Sequence, residues 1–246
     1  MDLNKLEEAK FEIKQAKKIV FFGGAGVSTR SGIPDFRGKE GLYRLQSMYG
    51  VPYEVILSHS YYERNADTFF DFYKNFMIHK EAKPNDAHYA LAHYEKIKSN
   101  LCIITQNIDN LHQEAGSKNV LELHGSIHRN YCEKCNKFYS LDEILSFKGV
   151  PICSCGGRIK PDVVLYEEQL DYNVLSRSIE ECSSCDVLII GGTSLNVYPA
   201  ASLVRYFKGR CLIMINKEAT SQDCYANYVF HEDIAKVLPL LLDLED

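Results

Sequence analysis

Four short apolar runs recur along the chain, at residues 19–22, 101–105, 187–190 and 212–215. Each contains Ile, Leu, Val or Phe without polar alternation, which is typical of strands buried on both faces of a parallel sheet. Apolar positions three or four residues apart predict an amphipathic first helix over residues 3–16. Further helical stretches lie between the runs, such as 87–99 and 171–181. This alternation predicts an α/β fold with a doubly wound, Rossmann-like parallel sheet.

Two regions interrupt the alternation. Residues from about 36 to 85 are rich in Tyr and Phe at helical spacing, and residues from about 128 to 160 contain four cysteines with Gly and Pro. We expect a helical insertion and a small cysteine module, which together form a smaller lobe. The larger Rossmann-like lobe would comprise residues about 1–35, 86–127 and 161–246, in a single domain spanning 1–246.

Composition narrows the function classes. The chain has 246 residues, with 28 Lys+Arg against 33 Asp+Glu and a net charge of −5. Without a basic block, nucleic acid is not an expected partner. No apolar run approaches the roughly 18 residues that a membrane span needs, and the charged first 18 residues lack a signal-peptide core. We therefore expect a cytoplasmic protein with no membrane partner.

The segment after each apolar run is polar or glycine-rich. Ligands of open α/β sheets bind at the carboxyl ends of the strands, so four such ends predict a nucleotide-sized ligand. The first loop begins Gly24-Ala25-Gly26, and its backbone could approach a pyrophosphate beside a following helix N-terminus. Thr29 replaces the third glycine of the strict dinucleotide fingerprint. Taken alone, this loop is also compatible with a tight strand–helix turn.

Five ordered motifs make the pattern specific. They are GAGVS at 24–28 with SGIPDFRG at 31–38, TQNIDNLH at 105–112, ELHG at 122–125, GTSL at 192–195 and IN at 215–216. Together they resemble the motifs of the sirtuin family, the NAD-dependent protein-lysine deacylases, in its bacterial form. The resemblance extends over nearly the whole chain.

The resemblance implies that NAD is consumed as a co-substrate. Acetyl-lysine would attack C1′ of the nicotinamide ribose, nicotinamide would leave, and the products would be free lysine and O-acetyl-ADP-ribose. His124 would be the general base on a ribose hydroxyl, and Asn107 would hold the ribose or a water. Phe36 would shield the anomeric carbon, Asp109 would accept from the nicotinamide carboxamide, and Asn216 would bind the adenosine ribose. The implied NAD-binding residues are Gly24, Ala25, Gly26, Thr29, Asp35, Phe36, Arg37, Gln106, Asn107, Ile108, Asp109, His124, Gly192, Thr193, Ser194, Asn216, Lys217, Asp233 and Ile234.

The segment Val163-Val164-Leu165-Tyr166 resembles the family segment that pairs with an extended acetyl-lysine peptide. Such strand addition gives affinity through main-chain hydrogen bonds. The family usually has Gly where this chain has Glu167, so a charge would lie at the peptide groove and affect substrate preference.

The helical insertion bears on the choice of acyl group. Family members that prefer acidic acyl chains carry a Tyr followed three residues later by an Arg. The pairs at that spacing here are Phe70 with Tyr73 and Tyr73 with Phe76. Neither supplies a cation, which favours acetyl or another neutral acyl group.

Four of the nine cysteines form two close pairs, Cys132-x-x-Cys135 and Cys153-x-Cys155. Four thiolates suit a closed tetrahedral Zn²⁺ site, so we predict structural zinc. A second C-x-x-C pair, Cys182 and Cys185, precedes an apolar run rather than following one, which disfavours a thioredoxin-like role.

Two alternatives to a deacetylase stay open from the residues. One is a zinc-stabilised NAD-binding module without deacylase turnover, either a scaffold or an ADP-ribosyl-transferring relative. The other is an ordinary dehydrogenase, which would leave the cysteine module unexplained. Nicotinamide release that depends on an acetylated peptide distinguishes the deacetylase from both.

Overall fold

The computed structural model describes residues 2–34, 48–195 and 198–243. Within these ranges six strands form one parallel sheet in the order β3-β2-β1-β7-β8-β9. The strands are β1 Ile19–Gly23, β2 Leu101–Thr105, β3 Val120–Glu122, β7 Val187–Gly191, β8 Cys211–Ile215 and β9 Tyr228–Phe230. The direction of winding reverses between β1 and β7, which is the doubly wound topology. The predicted fold class is therefore confirmed.

The strand register brings the carboxyl ends of the central strands to one level. Gly23 at the end of β1 pairs with Thr105 of β2 and with Gly191 of β7, and Gly191 in turn pairs with Ile215 of β8. The loops that follow these strands therefore leave the sheet side by side. This register places the predicted nucleotide-binding segments along a single edge.

Helices cover both faces of this sheet. On one face, α1 (Leu3–Lys14), α5 (Asp86–Lys98) and α9 (Ile234–Leu241) bury side chains against β1, β2, β7 and β8. On the other face, α8 (Tyr172–Ser184) and the 3₁₀ helix Ala200–Tyr206 do the same. The remaining described α-helices are α2 Tyr53–Ile56, α3 His59–Arg64, α4 Ala66–Phe72, α6 Leu111–Glu114 and α7 Leu141–Ser146.

The first glycine-rich loop differs from the sequence expectation. It is followed by two 3₁₀ helices, Ala25–Val27 and Thr29–Ser31, rather than by an α-helix N-terminus. The Thr29 hydroxyl donates to the Gly26 carbonyl over 3.0 Å. Gly32 ends the second 3₁₀ helix in the left-handed region, with φ +84°. Both features favour short turns over a regular helix.

A second, three-stranded antiparallel sheet of the described residues has the order β5-β4-β6. Its strands are β4 Gly125–Cys132, β5 Phe138–Tyr139 and β6 Ile159–Val163. This sheet extends by a few residues across both predicted boundaries of the cysteine module, at 127/128 and 160/161. The division into two lobes stays a prediction.

The helical insertion packs on this second sheet. Phe69, Phe70 and Tyr73 are fully buried and share a core with Ile127 of β4 and Val163 of β6. After α4, the chain continues as the π-helical turn Tyr73–Met77. The aromatic spacing noted in the sequence therefore belongs to a core that the insertion shares with the second sheet.

Within the described ranges, no helix combines the length and the apolar character that crossing a bilayer requires.

Candidate NAD and peptide site

A cavity of about 1310 Å³ opens at the carboxyl edge of the large sheet and extends to the second sheet. It exceeds the roughly 300–1,000 Å³ of a typical single-ligand pocket, so it has room for two reactants. We refer to it as the central cavity. The sequence-predicted residues on its wall are Gly24, Ala25, Gly26, Thr29, Gln106, Asn107, Ile108, Asp109, His124, Val163, Val164, Leu165, Tyr166, Gly192, Thr193, Ser194, Asn216, Lys217 and Ile234.

Four of the predicted NAD-binding residues are not among those on the cavity wall. Asp35, Phe36 and Arg37 lie outside the described residues. The side chain of Asp233 caps α9 through the Ala235 N–H and pairs with Arg30 at 2.8 Å, so it does not line the cavity.

The loops after β1 and β7 touch each other directly. Gly26 N–H donates to the Gly192 carbonyl over 2.8 Å, and a Cβ on Gly26 would lie 2.6 Å from the Gly192 Cα. Only glycine permits this approach. The contact closes the floor of the central cavity between the two strands where the winding reverses.

A hydrogen-bonded chain crosses the strand ends. The Gln106 side-chain amide donates to the Thr193 hydroxyl over 3.0 Å, and the Thr193 N–H donates to Asn216 Oδ1 over 2.9 Å. The buried Nδ2 of Asn216 has no hydrogen-bond partner among the described residues. An unpaired buried donor is costly unless a ligand satisfies it. A ligand hydroxyl, such as that of the ribose that the resemblance implies for Asn216, would satisfy this donor.

His124 contacts Gln106, at the other end of this series of hydrogen bonds. Its Nδ1 lies 2.9 Å from the Gln106 carbonyl oxygen. Because that oxygen only accepts, Nδ1 carries the proton, and Nε2 of the neutral ring carries the lone pair. The residue therefore has the tautomer that a general base acting through Nε2 requires.

Ser28 lies at the centre of a second network, which the sequence interpretation missed. Its hydroxyl donates to Asp109 Oδ2 over 2.6 Å and accepts from the Asn107 side-chain amide over 3.0 Å. Burial raises the pKa of the Asp109 carboxyl, and its hydrogen bonds from Ser28 and the Leu111 N–H oppose that rise. The position of Ser28 within the GAGVS motif was the available signal.

The predicted peptide segment, residues 163–166, is hydrogen-bonded to the main chain of His124. The Val164 N–H donates to the main-chain carbonyl of His124 over 3.0 Å. On the far side, Tyr166 exchanges main-chain hydrogen bonds of 2.9 Å with Leu57 and His59 of the helical insertion. The segment thus runs between the main chain of His124 and the helical insertion, along the wall of the central cavity.

Glu167 has a positive φ of 75°, which explains why glycine suits this position. Its carboxylate accepts from the Ser60 N–H at 2.9 Å and the Ser60 hydroxyl at 3.0 Å. The neighbouring Glu168 pairs with His59 at 2.8 Å and Lys160 at 3.1 Å. Glu167, at the position where the family usually has Gly, therefore joins the peptide segment to the start of α3 by hydrogen bonds.

The residues compared for acyl preference do not reach the cavity. Phe70 and Tyr73 are buried in the insertion core, and the cavity wall does not include them or Phe76. The insertion instead contributes Tyr53, Leu57 and Met77, which the sequence interpretation did not select.

The four-cysteine cluster, comprising Cys132, Cys135, Cys153 and Cys155, fits zinc. All four Sγ atoms lie within 4.8 Å of one another, with Cys132–Cys155 at 3.4 Å and Cys135–Cys153 at 3.7 Å. A tetrahedron with Zn–S bonds of about 2.3 Å has edges of about 3.8 Å. No fifth ligand joins the cluster among the described residues, so a closed structural site is the arrangement that fits.

Cys182 and Cys185 have a different environment. Both are buried in the apolar core beneath α8, and burial raises the pKa of each thiol to about 12. Thiols of this kind stay protonated at neutral pH and are poor nucleophiles or ligands.

Comparison with known proteins gives the family. The Sir2 family model matches residues 24–199. An NAD-dependent protein deacetylase of Clostridium acetobutylicum is 53% identical over 98% of this chain and 99% of its own length. A Sir2 homologue–NAD complex has a TM-score of 0.85 and 35% identity, covering 98% of this chain and 93% of that one. A Sir2 variant with a deacetylated p53 peptide and 3′-O-acetyl-ADP-ribose has a TM-score of 0.87 and 33% identity, covering 96% and 97%. The chain belongs to the Sir2 family, that of the sirtuins.

Proposed function

We propose that this protein is an NAD-dependent protein-lysine deacetylase. It transfers the acetyl group from lysine to ADP-ribose and releases nicotinamide and O-acetyl-ADP-ribose. The observation that carries the proposal is the double attachment of His124. Its ring is oriented by the Gln106 carbonyl, and its own carbonyl holds Val164 of the peptide segment.

NAD supplies a glycosidic bond whose cleavage at C1′ makes an acceptor for the acyl oxygen. The chain contributes the contacts. The touching loops at Gly26 and Gly192 would receive the phosphates, and Asn216, with its unpaired Nδ2, would bind a ribose hydroxyl. The Ser28–Asp109 pair fixes the Asn107 amide, which would hold the ribose or a water.

His124 removes a proton from a ribose hydroxyl through Nε2. The Gln106 carbonyl fixes the ring and stabilises the imidazolium that forms, because it accepts the Nδ1 proton in both charge states. A general base of this kind contributes about 10²- to 10⁴-fold to the rate.

The peptide lies along residues 163–166, where main-chain pairing positions acetyl-lysine without reading much sequence. Support comes from two structural neighbours, described with a deacetylated p53 peptide and with a propionylated peptide. Both neighbours concern neutral acyl groups, and we propose acetyl or another neutral acyl group for this chain on that ground.

The site of action is the cytoplasm. All nine cysteines are free thiols, and four of them converge as a metal-ligand set. Unpaired thiols in this number are typical of a reducing compartment.

The experiment is a mass-spectrometric product assay with an acetylated peptide and NAD. We expect equal amounts of deacetylated peptide and O-acetyl-ADP-ribose, and an about 10²-fold or greater loss of both in His124→Ala. His93→Ala, an exposed histidine on α5, is the matched control. NAD binding without any peptide-dependent product would support the scaffold alternative instead.

A further inference from the structure

Arg129 joins the two strands on either side of the proposed active site. Its Nη1 lies 2.6 Å from Glu122 Oε2, and its Nε lies 2.7 Å from Asp162 Oδ2. Glu122 ends β3, two residues before His124. Asp162 belongs to β6, directly before the peptide segment. One guanidinium therefore holds together β3, which leads into His124 (the base strand), and β6, which leads into the peptide segment (the peptide strand).

A bulge in β4 directs Arg129 to this position. Ser126 pairs with Asp162, and Asn130 pairs with Pro161, so residues 127–129 are extra on the β4 side. Bulges beside active sites commonly redirect a side chain. Ile127 and His128 of this bulge line the central cavity, whereas Arg129 forms the two ion pairs.

The residues that follow β3 and β6 also contact each other at the site itself. The Val164 N–H donates to the His124 carbonyl over 3.0 Å. Gly125 follows with φ +76°, and a Cβ there would lie 1.9 Å from the Asp162 carbonyl oxygen. Any sliding of β6 along β4 would therefore move the peptide segment relative to the imidazole. Arg129 opposes that sliding through its ion pair with Asp162 of β6, and it does not line the cavity.

The Glu122 carboxylate has a partner at each of its oxygens. Glu122 has a side chain only 9% exposed, and its other oxygen accepts from the Gln113 side-chain amide over 2.9 Å. A planar guanidinium can satisfy two carboxylates in fixed directions, which a lysine ammonium does less well. The Arg129 link is thus a directional one.

We propose that Arg129 is a positioning residue, which fixes the distance between the bound acetyl-lysine and the His124 ring. The inference rests on the proposed deacetylase function. Arg129 touches neither substrate. It acts by holding Glu122 and Asp162, and its loss would leave both reactants bound but misaligned.

The test is Arg129→Met, measured for peptide kcat/KM and for the ratio of nicotinamide released to lysine deacetylated. We expect kcat to fall about tenfold or more, because misplacement of reacting groups by about 1 Å has effects of up to about 10². The KM for NAD stays within about twofold, and the ratio rises above the wild-type value. Arg129→Lys falls between, and Asp162→Asn shifts the ratio in the same direction by less.

Arg158→Met is the matched control. Arg158 also forms two ion pairs, with Glu63 and Glu133, but it does not line the cavity or touch the base strand. We expect a lower melting temperature with an unchanged ratio. If Arg129→Met keeps the wild-type kcat and ratio, or if Arg158→Met raises the ratio equally, the positioning role is wrong. A wild-type protein without peptide-dependent product would instead overturn the proposed function.

Discussion

Two neighbouring buried histidines make the protein sensitive to acid. His88 on α5 and His112 on α6 are fully buried with ring centroids 4.8 Å apart. Both ring nitrogens of His112 and Nε2 of His88 have no hydrogen-bond partner among the described residues. Burial lowers the pKa of His88 from 6.5 to about 4, and it lowers that of His112 well below 6.5, with the nearby His88 adding to the shift.

The sign follows from linkage. The folded state keeps His88 neutral, whereas the unfolded chain takes up a proton below pH 6.5. The contribution of neutral His88 to the free energy of unfolding is therefore present above pH 6.5 and is lost as the pH falls from 6.5 to about 4. A shift of this size corresponds to about 3 kcal/mol at the acid end, at about 1.4 kcal/mol per pKa unit. This is a large share of the ~5–15 kcal/mol typical of a folded domain.

The perturbation is His88→Gln, which keeps an acceptor for the Asn85 N–H at the start of α5 but cannot titrate. Urea unfolding between pH 7.5 and 4.5 gives the free energy of unfolding. We expect the wild type to lose about 2–3 kcal/mol more than the variant between pH 6.5 and 4.5. His112 leaves some acid sensitivity in the variant. The control is His93→Gln, whose side chain is exposed on the same helix. Parallel curves for wild type and His88→Gln would refute the reasoning.

Other consequences are equally direct. Removing zinc with a chelator is expected to unfold the four-cysteine cluster and its strands first, so hydrogen exchange should rise in β4–β6 before it rises in β1; unchanged exchange would contradict a structural metal. Asn216→Ala leaves the Thr193 N–H without its acceptor, and we expect the KM for NAD to rise about tenfold while the peptide KM stays constant. Glu167→Ala and Glu167→Gly both lose the bonds to Ser60, but only alanine places a Cβ in the left-handed backbone at φ 75°, so we expect Glu167→Ala to be about 1 kcal/mol less stable than Glu167→Gly in thermal unfolding; the reverse order would exclude strain at this position.

The sheet was predictable because its central strands are buried on both faces. The runs at 19–22, 101–105, 187–190 and 212–215 each became a strand to within one residue. The edge strand β9 has only three residues, Tyr228–Phe230, so its apolar run is too short to predict a strand. The sequence predicts a helix start after Gly24, but the structure has two 3₁₀ helices there, which end at Gly32 in the left-handed region.

The site was predictable where it rested on motifs and less so where it rested on packing. Motif residues such as Asn107, His124 and Thr193 line one cavity because their strands end at one level. Tyr53 and Leu57 belong to short helices in an irregular insertion, and nothing in their spacing indicates which side faces the cavity. Arg129 depends on a bulge, which shifts the alternation of β4 without a local signature.

The proposed base and the first cysteine of the metal cluster lie on one uninterrupted stretch of chain. His124 is followed directly by β4, which ends at Cys132, with its irregularity confined to residues 127–129. This span has a fixed length, because an insertion or deletion here would change the register with β6 at Asp162 and Val163. The segment between Cys135 and Cys153 carries only the short strand β5 and helix α7. Family members can therefore diverge in length within the outer part of the module, while the reach from imidazole to metal stays constant.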